Sequence, residues 1–180
     1  MRRRRLLAAL FLCCAFLPHS AQARDRDPEP GTEPFTLYLV RHAEKGENGD
    51  GDPGLTEAGR GRAARLAKWL RPRKLEAVWS SDFRRSRETA RPVAEGSTLP
   101  LRIYDVDDLE GFAGQLLAEG RNALVVGHSN TSPELARLLC GCAVAPISES
   151  EYDRIWRITV RGGAVTLDRL DQRTITLRDY

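Results

Sequence analysis

Three places in the sequence set a fixed cation or an imidazole just beyond an apolar run. Arg41-His42 follows Thr36 to Val40, Arg85 follows Ala77 to Ser81, and Gly127-His128 follows Asn122 to Val126. Guanidinium forks match phosphate oxygens bidentately and stay charged at any working pH. A neutral imidazole nitrogen can act as a nucleophile, and neighbouring cations favour that neutral form. Phosphoryl transfer asks mainly for positioning and charge stabilisation. Two guanidiniums and two imidazoles at one crevice would therefore suit a phosphoryl group. Taken alone, Arg41-His42 reads more readily as a surface Arg and a capped His at a strand end.

To gather these residues, the apolar runs must be strands of one sheet. Phe35 to Val40, Ala77 to Ser81, Leu101 to Tyr104 and Asn122 to Val126 are short and suited to burial. Helical patterns separate them. Thr56 is placed to cap a helix in which Ala63, Leu66, Ala67 and Leu70 recur at helical spacing, with Arg60, Arg62, Arg65 and Lys68 on a solvated face and Pro72 at its end. A second helix reads from Asp82 to Ala90. A third carries Leu109, Phe112, Leu116 and Leu117 as a core stripe, and Ser132-Pro133 opens a fourth. Tyr152 to Val160 and Ala164 to Leu170 form a hairpin about Gly162-Gly163, and Thr174 to Leu177 adds a last extension. The expected fold is α/β: a mostly parallel central sheet with helices on both faces and antiparallel edge strands near the C-terminus. In such a sheet the ligand crevice lies at the carboxyl ends of the strands.

The loop Glu44 to Gly54 imitates the start of a calcium loop with Asn48, Asp50 and Asp52. Pro53 stands where that loop needs Gly, and Gly59 where it needs a bidentate Glu, so a solvated loop is expected. Met1 to Ala23 reads as a signal peptide, with Arg2 to Arg5, an apolar stretch from Leu6 to Leu17, and Ala21-Gln22-Ala23 as the cleavage pattern. Residues 24–34, charged and rich in proline, read as a disordered leader, which leaves 35–180 as the domain. Without the four signal arginines, 28 basic residues become 24 against 25 acidic ones, so bulk charge does not argue for nucleic acid or an anionic membrane. Cys140 and Cys142 read as buried thiols or a strained disulfide, and the spacing of His and Cys does not suit a metal. The expected location is periplasmic or secreted, with no stable membrane association after cleavage and no cofactor.

The motifs together resemble the histidine phosphatase (phosphoglycerate mutase-like) superfamily. They are Val40-Arg41-His42-Ala43-Glu44, Leu55-Thr56-Glu57-Ala58-Gly59, Ser80 through Ala90, and Val125-Val126-Gly127-His128-Ser129-Asn130, in the family's order. The resemblance implies that His42 is phosphorylated, that Arg41, Arg85 and His128 complete the phosphate pocket, and that Ser129 and Asn130 lie at it. Arg85 takes its role from its place four residues before Thr89-Ala90. A carboxylate between Arg85 and His128 protonates the leaving group in many relatives. Asp105 is the first choice here, with Asp107, Asp108 and Glu110 competing and helix capping an equal explanation for Asp107 or Asp108. The implied activity is an exported, metal-independent phosphomonoesterase acting on a small phosphorylated substrate. The alternatives are a phosphohistidine phosphatase, a mutase, or a phosphate-binding module without turnover.

Overall fold

The computed structural model describes residues 33–47 and 51–174. The signal peptide, most of the leader, Asn48 and Asp50 of the calcium-like loop and most of the last extension lie outside the described residues. Six strands form one mixed sheet in the order β3-β2-β4-β1-β5-β6. In chain order the elements are β1 (Phe35–Arg41), α1 (Glu57–Leu70), β2 (Ala77–Ser81), α2 (Arg84–Ser97), β3 (Leu101–Tyr104), α3 (Leu109–Glu119), β4 (Ala123–Gly127), α4 (Thr131–Cys140), β5 (Arg154–Arg161) and β6 (Ala164–Asp171). β1 to β4 pair in parallel, while β5 and β6 add an antiparallel hairpin turned at Gly162 and Gly163, both at positive φ.

The apolar runs serve two cores because successive side chains point to opposite faces. Leu37 and Leu39 of β1, Trp79 of β2 and Val125 of β4 pack with Phe112 and Leu116 of α3 and with Leu135 and Leu139 of α4. Tyr38, Val40, Val78, Leu124 and Val126 pack on the other face, with Leu66, Trp69 and Leu70 of α1 and with Ala90 and Val93 of α2. The chain thus leaves β1 and β2 toward one face, and leaves β4, which lies between them, toward the other. That reversal opens a crevice beyond the carboxyl ends of these strands. The register levels its walls, pairing Arg41 with Gly127 and Ser80 with Val126.

Several expectations need correction. Leu117 is 39% exposed and lies outside the α3 core stripe. The second helix begins at Arg84, not Asp82, and runs on through Pro92 to Ser97. Arg62 is not on a solvated face, since it grips Glu44 through both carboxylate oxygens at 2.6–3.0 Å. The loop after β1 is tied as well as solvated: Lys45 bridges Leu55, and the Gly46 amide donates to the Gly54 carbonyl at 2.9 Å. Cys140 and Cys142 form a disulfide, and Cys142 is exposed. A thiol pair inside the core is therefore excluded. Thr56 caps α1 as expected, accepting from the Gly59 amide at 3.1 Å.

Candidate active site

Arg41 is the last residue of β1 and is 2% exposed. A buried guanidinium must find acceptors for its N–H groups, and most come from the segment between α4 and β5. Nη1 donates to the carbonyls of Ser148, Glu149 and Glu151 at 3.1, 2.7 and 3.2 Å, and Nη2 donates to Glu149 Oε2 at 2.6 Å. The group also lies over the Tyr152 ring, 4.2 Å from its centroid. Nε is buried and has no partner among the described residues.

His42 follows directly, its amide bonded to the Gly127 carbonyl at 2.9 Å, which continues the β1–β4 pairing. Its Nδ1 lies 2.8 Å from the Ala43 carbonyl. A carbonyl only accepts, so Nδ1 carries the proton and the lone pair sits on Nε2. Burial, then the charges of Arg41, His128 and Arg85, lower the His42 pKa to about 3, against the opposing Ala43 hydrogen bond. The ring is therefore a free base at neutral pH.

His128 packs against it, ring centroids 5.4 Å apart. Its amide donates to Thr131 Oγ1 at 2.9 Å, Nε2 lies 2.9 Å from Ser81 Oγ, and Nδ1 faces Arg85 Nη2 at 3.5 Å. Since an arginine can only donate, Nδ1 is the acceptor and Nε2–H donates to Ser81. Burial first, then Arg85 and Arg41, lower the His128 pKa to about 4.

Arg85 comes from the first turn of α2. It lies over Phe83 at 4.4 Å, its Nη1 is 3.6 Å from Asp52, and its Nε is buried without a partner among the described residues. Thr89, one turn on, accepts from the Ala43 amide at 2.9 Å and donates to the Arg85 carbonyl at 2.8 Å. One hydroxyl thus ties α2 to the loop that follows His42.

Arg41, His42, Arg85 and His128 are thereby brought to one pocket. Ser129 stands at its edge, donating to Glu149 Oε1, and Asn130 is exposed at the cap of α4. Asp105 is exposed at the end of β3, one residue beyond Tyr104, which pairs with Ser81, and its Oδ1 accepts from the Asp107 amide at 2.9 Å. β3 lies three strand spacings from β1, about 14 Å across the sheet. Asp108 caps α3 through the Gly111 amide. Sequence reasoning missed Ser81, Asp52, Glu149 and Tyr152. Ser81 had a signal, since it ends a buried strand level with the two imidazoles, whereas Glu149 lies in a polar segment with no period. Among the described residues no three His, Cys, Asp or Glu side chains group as metal ligands.

Fold and site define an α/β protein with a free-base imidazole on a cationic floor at the carboxyl edge of its sheet. Residues 37–115, 79 of the 180 in the chain, match the sequence model of the Histidine phosphatase superfamily (branch 1). The match takes in Arg41, His42 and Arg85, while His128 lies beyond it. A Schizosaccharomyces pombe (strain 972) protein described as a probable phosphatase is 37% identical over 78 residues, which is 39% of this chain and 28% of that protein's length. Among solved structures, the protein histidine phosphatase SixA complexed with tungstate aligns at TM-score 0.66 and 22% identity, over 78% of this chain and 99% of its own. A mycobacterial glucosyl-3-phosphoglycerate phosphatase aligns at TM-score 0.63 and 16% identity, over 77% and 99%. Both share the fold.

Proposed function

We propose that the protein is a phosphatase that hydrolyses small phosphate monoesters through a phosphohistidine on His42. The observation that carries this reading is the hydrogen bond from His42 Nδ1 to the Ala43 carbonyl, which leaves the Nε2 lone pair available inside a cationic pocket. Nε2 attacks phosphorus, the ester P–O bond breaks, and the leaving oxygen departs with the electron pair. Charge on the phosphoryl oxygens is met by Arg41 and Arg85, each with a buried Nε to offer. His128 Nδ1, already facing Arg85, takes up a proton as the dianion arrives and becomes a further donor. Water then attacks the phosphohistidine, the N–P bond breaks, and phosphate is released with His42 restored.

In this reading the reaction needs no added metal, and Met1 to Ala23 directs export to the periplasm or beyond. An aryl phosphate assay with chelator present tests it. Wild type is expected to turn over and His42→Ala to lose that activity. Equal, slow hydrolysis by both contradicts the reading.

A further inference from the structure

The geometry points to Glu149 as the acid–base group of the site, which protonates the leaving oxygen and then deprotonates the attacking water. This inference rests on the phosphatase reading above. Arg41 and His42 are each 2% exposed, whereas the Glu149 side chain, paired with Arg41, is 78% exposed. Attacking nitrogen, phosphorus and leaving oxygen lie roughly in line. With the attacking ring buried, the leaving oxygen opposite it departs toward solvent, the side on which the exposed Glu149 carboxylate lies.

Other carboxylates in this region have further partners. Both Asp52 oxygens accept from the Arg84 amide, at 2.9 and 3.0 Å, and Oδ1 also lies 3.6 Å from Arg85 Nη1. Glu44 holds Arg62, and Glu88 accepts from the Leu55 amide at 2.7 Å. Asp105 Oδ1 accepts from the Asp107 amide at 2.9 Å. Glu149 instead directs both oxygens at pocket residues, Oε2 to Arg41 and Oε1 to the Ser129 hydroxyl. Its backbone carbonyl also holds Arg41 Nη1 at 2.7 Å, so the carboxylate and the clamp are placed by the same segment.

In the free protein the Ser129 hydrogen bond, and then Arg41, keep Glu149 ionised. Substrate phosphate on Arg41 replaces that countercharge with negative charge, and the carboxylate takes up a proton from solvent. In the first half-reaction Nε2–P forms and P–O breaks. The electron pair goes to the leaving oxygen, which receives the Glu149 proton and departs as the alcohol. In the second, water oxygen bonds to phosphorus, N–P breaks with its pair returning to His42, and Glu149 accepts the water proton. Monoester and water become alcohol and phosphate.

The test is the leaving-group dependence of kcat/KM, measured on the full chain with 2,4-dinitrophenyl, 4-nitrophenyl, phenyl and ethyl phosphates. A proton donor matters most for the poorest leaving group. Glu149→Gln should therefore lose about 100-fold or more on ethyl phosphate and much less on the dinitrophenyl ester. Calorimetry should find that the variant still binds inorganic phosphate. A loss that is absent or equal across the series overturns the assignment, as does a leaving-group-dependent loss appearing in Asp105→Asn instead. A variant that no longer binds phosphate overturns it too, because Glu149 then serves only to hold Arg41. A wild type inactive on the whole series removes the phosphatase reading itself, and the proposal with it.

Discussion

The smallest scale is a single ring nitrogen. The Ala43 carbonyl decides which nitrogen of His42 carries the proton, and burial among cations decides that the other stays bare. This has a measurable cost in acid. An unfolded His has its ordinary pKa of 6.5, while folded His42 and His128 stand at about 3 and about 4. Below 6.5 the unfolded chain binds protons that the folded chain does not, so stability falls as pH drops from 6.5 through about 4. Denaturant unfolding at neutral pH and near pH 4.5 checks this, and His42→Asn should flatten part of the slope. A slope unchanged by that substitution contradicts it. Arg85→Ala should cost on the order of 2.7–4 kcal/mol in kcat, as for other preorganised charge stabilisers. A near-normal rate would place the clamp on Arg84 or Arg87.

At the scale of elements, the site depends on close approaches that leave no room for a side chain. A methyl group on Gly59, in the first turn of α1, would collide with the Glu44 carbonyl just beyond His42. Gly59→Ala should therefore destabilise by about 1–3 kcal/mol and lower activity, as thermal melts and initial rates will report. One at Gly127 would lie 2.8 Å from Tyr104 Oη, Thr131 Oγ1 and Ser132 Oγ. The strands were legible because a buried parallel strand leaves an unbroken apolar run, and the cap of α1 because Thr56 precedes a strong helical period. Arg62 was misread as solvated because helical period assigns a face but cannot name the partner that reaches it. Glu44, eighteen residues away, does so across the fold. The start of α2 moved to Arg84, whose amide donates to Asp52 from the loop after β1.

Across the whole molecule, the pocket is closed by residues that sequence neighbourhood cannot join. Glu149 reaches Arg41 over 108 positions from a polar stretch without a repeat, and no local pattern signals it. Arg41, His42, Arg85 and His128 were legible only because each ends or follows a strand of the same sheet. Gathering these cations in one pocket should also couple anion binding to global stability. Inorganic phosphate at one hundred times its Kd should stabilise the fold by about 2.7 kcal/mol, read as a rise in Tm that is much reduced in Arg85→Ala. The central claim, that His42 carries the phosphoryl group, is tested most directly by trapping it. Enzyme mixed with an aryl phosphate and quenched in alkali, where phosphohistidine survives, should show by peptide mass spectrometry one added phosphoryl group on the peptide containing His42. A wild type that turns over while that peptide stays unmodified and the phosphoryl group appears elsewhere, or nowhere, contradicts the account.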